Sequence, residues 1–247
     1  MQDASLLISG SIGADNAISA QTASGLNAVT LSAHSIDLGS ARDIGEGQAL
    51  FLKVMAASGA SAVASANYTA YNNGTSYVRG EKCSSGGIDY NCILASTGHS
   101  PPNATYWEVV PDSIEIQLIS ATNAALTTGL SVLATTGAIT VYPPYNKVTA
   151  YTSGDKCTYK GKNYNCIASS TGHTPPDDTY WDEIGTGISD GLVVYLPVPV
   201  QIGSKGKRYL GARYINVGNV SGASFISEFT TDVSDPEKFY PSGITVI

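Results

Sequence analysis

Charge is scarce in this chain. Only 13% of its 247 residues are charged, about half the roughly 25% usual in globular proteins. Lys plus Arg number 13 against 20 Asp plus Glu, a net charge of −7. An acidic chain repels phosphate backbones, and nucleic-acid binding needs a basic face that releases counterions, so no nucleic-acid partner is expected. Long apolar runs are also lacking. Nothing approaches the roughly 18 consecutive apolar residues of a membrane span, and the stretch from Met1 to Gly10 has no basic region and only a three-residue apolar run. Neither a membrane partner nor a secretory signal is expected, and synthesis in the cytoplasm follows. Histidine is limited to three residues, and the sequence has no Gly-x-Ser-x-Gly, no phosphate-binding loop, no His-Glu-x-x-His and no Rossmann glycine pattern. The carboxylates are scattered and indicate no glycosidase pair. The expectation is a protein that is not an enzyme and holds no cofactor or metal.

Apolar residues make up an ordinary 43% and glycine is plentiful at 26. That is enough to bury a core, which argues against disorder, and the length allows one large all-β domain or two smaller ones. The strongest feature is a duplication, since a repeat governs how the rest is read. Residues 71–110 and 145–184 align without a gap at an offset of 74, with roughly half the positions identical. Each copy carries Tyr-x5-Tyr-x2-Gly-[Glu/Asp]-Lys-Cys, Tyr-Asn-Cys-Ile, Ser-Thr-Gly-His-x-Pro-Pro and Thr-Tyr-Trp-[Glu/Asp]. Both tryptophans and all four cysteines fall inside the copies. Plain Ala/Ser/Thr/Gly/Val/Ile/Leu segments surround them, and the stretch from Pro111 to Pro144 is too short for an independent domain. The plain segments therefore read as one discontinuous domain (1–67, 111–140 and 186–247) with modules at 68–110 and 141–185 inserted in its loops, where insertions are tolerated.

Within the second module, Cys157-Thr158-Tyr159 and Tyr164-Asn165-Cys166 flank Lys160-Gly161-Lys162-Asn163, a hairpin signal. A unit of about 40 residues commonly needs a staple, and the pairs Cys83/Cys92 and Cys157/Cys166 are disulfide candidates. A turn centred between Gly161 and Lys162 places Cys157 opposite Cys166 with Cα atoms roughly 4.5 Å apart, inside disulfide range. A Lys160-Gly161 turn instead places Cys157 opposite Tyr164, and a bridge then needs a shifted register. The same two registers are open to Cys83 and Cys92, and reduced cysteines acting as small core residues are the alternative. A zinc set of Cys83, Cys92 and His99, or Cys157, Cys166 and His173, is a poor match. The eight-residue gap between cysteines exceeds the two to four of structural sites, and no fourth ligand is evident. His99 and His173 read better as braces for the loop before the Pro-Pro pair.

The modules are rich in aromatics: Tyr71, Tyr77, Tyr90, Tyr106 and Trp107, matched by Tyr145, Tyr151, Tyr164, Tyr180 and Trp181. Flat rings stack on the C–H face of a sugar, so all ten are glycan-binding candidates. The competing role is a miniature core, favoured for the two tryptophans. The order Tyr, Tyr-x2-Gly-Asp-Lys-Cys, Tyr-Lys-Gly-Lys-Asn-Tyr, Pro-Pro and Tyr-Trp-Asp resembles the small chitin-binding modules of bacterial chitinases. The resemblance implies that Tyr151 to Asp155, Tyr159 to Tyr164 and Trp181 form the scaffold. It also puts Tyr71 and Tyr145 at the first, ligand-stacking aromatic. The sequence departs from the family after the second hairpin strand, where Ile93-Leu94-Ala95-Ser96 and Ile167-Ala168-Ser169-Ser170 replace exposed tryptophans.

The plain segments contain strand-like runs at 48–54, 113–118, 207–214 and 223–229. Strict alternation from Ser113 to Leu118 predicts a half-buried strand. In 193–200, Pro197 and Pro199 share parity, which predicts a sheet edge or a bend with Val194, Leu196, Val198 and Val200 facing the core. No long amphipathic helical period appears, and the expected fold is an all-β antiparallel β-sandwich with two small β modules in its loops. Ser35-Ile36-Asp37-Leu38-Gly39, the 41–47 run Ala-Arg-Asp-Ile-Gly-Glu-Gly, Leu50 to Val54, Ser113 to Leu118 and Lys207 to Tyr214 occur in an order that resembles the cement, or head-decoration, proteins of tailed bacteriophages. That resemblance implies a homotrimer on the outer capsid surface of the virion. It would bind the major capsid protein and lock neighbouring subunits, with the modules offered outward to a polysaccharide. Lys205, Lys207, Arg208 and Arg213 form the densest basic cluster and are the capsid-contact candidates. The low-charge segment from Ser9 to Ala33 is expected either to order along a partner or to form surface loops of its own domain.

Overall fold

Ser113-Ile114-Glu115-Ile116-Gln117-Leu118 alternates, and an extended chain sends such residues to opposite faces. In the computed structural model, which describes residues 7–9, 11–12, 18–23, 25–38, 50–58, 61–62, 68–199, 207–230 and 245–246, this run opens the strand Ser113–Ala121. Ile114, Ile116 and Leu118 enter the main core. The expected half-burial is corrected, because the other face is covered as well. Ile119 and Ala121 pack with Leu126 from the following loop in a second cluster, against Leu31, Val132 and Tyr209. Glu115 and Gln117 are satisfied within the sheet: Thr135 Oγ1 (2.5 Å) and Gln117 Nε2 (2.6 Å) donate to Glu115, and Arg213 Nε donates to Gln117 Oε1 (2.7 Å).

Secondary structure among the described residues is β throughout, and every sheet is antiparallel. One large sheet runs in the order Leu7–Ser9, Ser224–Thr230, Phe51–Ser58, Val193–Pro197, with Gln21–Thr22 also on Ser224–Thr230. The other runs Thr245–Val246, Ser131–Thr140, Ser113–Ala121, Tyr209–Val217, Val29–Leu31, with Ile36–Asp37 also on Tyr209–Val217. Both sheets feed one apolar cluster that includes Leu52, Val54, Leu196, Phe225 and Phe229 from the first and Ile114, Ile116, Leu133, Leu210 and Tyr214 from the second. Tyr214 crosses between them. Its ring stacks on Phe225 at 4.7 Å, and its hydroxyl donates to Ser9 Oγ (2.9 Å) or Ser227 Oγ (3.1 Å). Burial pushes its pKa up to about 12.

The Val193–Pro197 strand lies at the edge of its sheet, as the proline parity predicts, and Val194, Leu196 and Val198 are buried. Val200 lies outside the described residues. The described parts of the Ser9–Ala33 segment pair within the chain itself. Gly25–Leu26 joins Asn219–Ser221, Val29–Leu31 joins Tyr209–Val217, and Ala23 sits in the core.

The duplicated segments are sheet-to-sheet connections. Phe51–Ser58 of the first sheet leads into copy one, which exits into Ser113–Ala121 of the second. Ser131–Thr140 of the second sheet leads into copy two, which exits into Val193–Pro197 of the first. Ser113 is registered with Thr140, and Val193 with Met55. The strand ends that carry the copies therefore lie at one end of each sheet. The two ends are linked by Asn219–Ser221, between Val217, opposite Ser113, and Ser224, opposite Ser58.

The copies fold alike at the same offset of 74. Ser76–Tyr77 pairs with Ser96–Thr97, as Ala150–Tyr151 pairs with Ser170–Thr171. Lys82–Ser85, Ile88–Cys92 and Trp107–Val109 form a three-stranded sheet, matched by Lys156–Tyr159, Lys162–Cys166 and Trp181–Thr186. The hairpin turns are Gly86-Gly87 (φ +60°, +79°) and Lys160-Gly161 (φ +46°, +78°), both with the paired positive φ of a type I′ turn. The register follows: Cys83 faces Tyr90 and Cys157 faces Tyr164. Of the two registers open from sequence this is the one that sets each first cysteine opposite a tyrosine, and the disulfide candidates Cys83/Cys92 and Cys157/Cys166 are corrected, because all four cysteines are free and buried.

The copies differ in how they meet the main core. At the second hairpin tip, Gly161 N–H donates to Ser189 Oγ (2.7 Å) and Gly187 N–H to Gly161 O (2.9 Å). A Cβ on Gly161 would stand 2.9 Å from the Leu192 nitrogen. Asn163 Nδ2 donates to the carbonyls of Thr140 (2.9 Å) and Thr186 (2.8 Å). In the first copy Asp89 takes the place of Asn163 and accepts from Ser84 Oγ. A carboxylate has no N–H to give.

Candidate functional site

The motif residues that the copies share are mostly builders of a small core. Trp107, Tyr77, Tyr90, Cys83 and Cys92 form one buried cluster, and Trp181, Tyr151, Tyr164, Cys157 and Cys166 form the other. Each tryptophan edges onto its tyrosine, with centroids 5.1 Å apart for Tyr77–Trp107 and 5.0 Å for Tyr151–Trp181. The indole N–H donates to the carbonyl of His99 or His173 at 2.7 Å. These contacts give the histidines a structural role: the loop carbonyl holds the indole, and the ring stacks on Tyr106 (4.0 Å) or Tyr180 (3.8 Å). No group of three or more His, Cys, Asp and Glu comes together as a metal site among the described residues. Glu81 and Asp155 close the turns before the hairpins by accepting from Val78 N–H (2.8 Å) and Thr152 N–H (2.7 Å), and the latter bond lowers the Asp155 pKa.

Six glycan-binding candidates lie in these cores: the four tyrosines among them are corrected, and the two tryptophans take the core role favoured for them. Trp107, Trp181, Tyr77, Tyr151, Tyr90 and Tyr164 are buried, and their rings are occupied by packing rather than offered to a ligand. Burial pushes the Cys83 thiol up to about 11 and the Cys157 thiol up to about 12, and it raises Tyr151 and Tyr164. Tyr71, Tyr106, Tyr145 and Tyr180 remain half-buried at the cluster margins.

Tyr145 stands at a surface groove. It stacks on Tyr151 at 5.7 Å and meets Tyr159 edge-on at 5.8 Å. Together with Pro144, Asn146, Lys147, Tyr159 and Thr174 it lines an open groove of about 650 Å³. An Asx turn fixes the groove floor, with Val148 N–H donating to Asn146 Oδ1 (3.0 Å) while Asn146 N–H donates to the Tyr151 hydroxyl (2.8 Å). Lys147 and Thr174 were not among the residues singled out from sequence, and Tyr159 was read there as scaffold rather than as part of a binding surface. The signal for Tyr159 lay in a difference between the copies, since the corresponding residue is Ser85. Tyr71, the counterpart of Tyr145, stacks on Tyr77 at 5.5 Å and donates its hydroxyl to Asn73 Oδ1 (3.2 Å).

The basic cluster is not a free patch. Arg208 forms a two-pronged pair with Asp37 (2.7 and 2.6 Å) and lies 5.2 Å from the Tyr209 ring centroid. Arg213 is held by Gln117, Lys207 is half-buried, and Lys205 lies outside the described residues. Compared with protein-family models and with curated proteins, the chain matches none.

Proposed function

We propose that this chain is a capsid-cement protein of a tailed bacteriophage. Its plain segments form a discontinuous β-sandwich (1–67, 111–140 and 186–247) that binds the major capsid protein on the outer surface of the virion as a homotrimer and stabilises the shell. The modules at 68–110 and 141–185 point away from the shell and bind polysaccharide. The role is structural rather than enzymatic, and the chain is made in the host cytoplasm before it joins the particle.

One observation carries this reading. Both modules leave the two large sheets from a single end, as connections between Ser58 and Ser113 and between Thr140 and Val193. A body with its modules gathered at one end has its other end available for a second surface, which is the division of labour that a decoration protein requires. The half-buried tyrosines and the Tyr145 groove support a carbohydrate partner, since one aromatic face and a few polar groups suffice to orient a sugar. Counting copies in purified particles tests the assignment. A cement protein is present in stoichiometric ratio to the capsid subunits, whereas a few copies per particle would identify a tail-associated adhesin that uses the sheets as a carrier.

A further inference from the structure

The two modules share a scaffold but not a surface. Tyr145 and Tyr159 form two walls of the groove in the second module, and the first module has Ser85 in place of Tyr159. Lys147 lines the same groove, and the Lys160 ammonium lies 5.3 Å from the centroid of the Tyr159 ring. Their counterparts are Asn73 and Gly86. Lys162 is occupied by Glu183 at 2.7 Å. The exchange of Asn73 for Lys147 has a second effect: the Tyr71 hydroxyl has an acceptor, while the buried Tyr145 hydroxyl has no hydrogen-bond partner.

On a chain of net charge −7, two lysines around one aromatic corner are a local reversal of sign. Aromatic walls bind the apolar face of a sugar ring, and an ammonium is a strongly hydrated point charge suited to an anionic group beside it. Resting on the carbohydrate reading above, we propose that the second module carries the working saccharide groove and that its ligand is a carboxylated polysaccharide, rich in uronic acid, rather than a neutral glycan. Tyr145 and Tyr159 take the ring, Lys147 and Lys160 take the carboxylate, and the first module contributes little to affinity.

The test is affinity electrophoresis of the full chain through gels containing polygalacturonate or its carboxyl-reduced, neutral form. The expected result is retardation by polygalacturonate alone. Moving to about 1 M salt, where the screening length falls to roughly 3 Å, should weaken it strongly. Lys147→Asn and Lys160→Gly install the first module's residues at exposed positions, and each should weaken binding about tenfold, the scale of one charge-assisted hydrogen bond. Tyr159→Ser should do likewise, and Arg79→Gln, which removes an exposed cation of the first module, should leave retardation unchanged. Equal retardation by both polymers, or equal loss from Arg79→Gln and Lys147→Asn, would overturn the inference while leaving a carbohydrate partner in place. No retardation by either polymer or by a neutral chitin derivative would overturn the carbohydrate reading with it.

Discussion

At the residue scale, the same aromatic type serves two purposes, and burial separates them. Trp181 is enclosed, edges onto Tyr151 and donates to the His173 carbonyl. Replacing it with alanine removes both packing and a buried hydrogen bond, so Trp181→Ala should cost about 3–5 kcal/mol, enough to unfold a unit of this size. Each copy has a single tryptophan, and Trp107→Phe leaves fluorescence that reports the second module alone during denaturation. The thiols give a pH prediction. Below about pH 9 they are protonated in the folded and unfolded chain alike and contribute no slope. Between pH 9 and their folded values of about 11 for Cys83 and about 12 for Cys157, the unfolded thiols ionise while the buried ones do not. Stability therefore falls as pH rises through that window and levels off above it. At pH 8 the native chain should resist iodoacetamide, with alkylation appearing only as it unfolds; fast modification of the native protein would contradict the buried setting.

At the scale of the element, the hairpins show what determines attachment. Gly161 has a positive φ and abuts Leu192, whereas Gly86, the first module's counterpart of Lys160, has a positive φ and open surroundings. Gly86→Ala should cost about 1 kcal/mol for the left-handed backbone alone, and Gly161→Ala should cost clearly more, because the 187–192 segment must also move. Asn163→Asp removes both donations to Thr140 and Thr186 and sets a buried carboxylate against two carbonyls, a loss of about 2–4 kcal/mol. Thermal unfolding of these variants, followed by the fluorescence of Trp107 for Gly86→Ala and of Trp181 for Gly161→Ala and Asn163→Asp, checks both. The hairpins also show how far the sequence could be read. Their existence was legible from flanking Tyr and Cys runs, but Lys160-Gly161-Lys162-Asn163 offered two turn centres and hence two registers. The first copy held the answer: adjacent Gly86-Gly87 supplies the two positive φ values of a type I′ turn, and alignment transfers that centre to Lys160-Gly161. The edge strand was legible because proline lacks a donor. The covering of Ile119 and Ala121 on the second face of Ser113–Ala121 was not, because their cover, Leu126, comes from a loop with no periodicity to read.

At the scale of the molecule, the alternation of plain and aromatic segments was visible in composition. That the strand ends carrying both copies lie at one end of each sheet was not, since it depends on the pairings Ser113 with Thr140 and Val193 with Met55. The candidate platform was legible only in part. Tyr145 stood out by repetition, while Tyr159 and Lys147 matter because they break the repeat. The basic cluster shows the opposite failure: a run of cations along the chain says nothing of partners such as Asp37 or Gln117, which come from distant strands. The central claim is that the body of the protein is built to grip a shell, and adding the purified protein back to capsids stripped of it tests that claim most directly. The account predicts saturable binding at one trimer per local symmetry site and a higher rupture temperature for the refilled particles. Shells that bind no protein, or that bind it without any gain in rupture temperature, would contradict it.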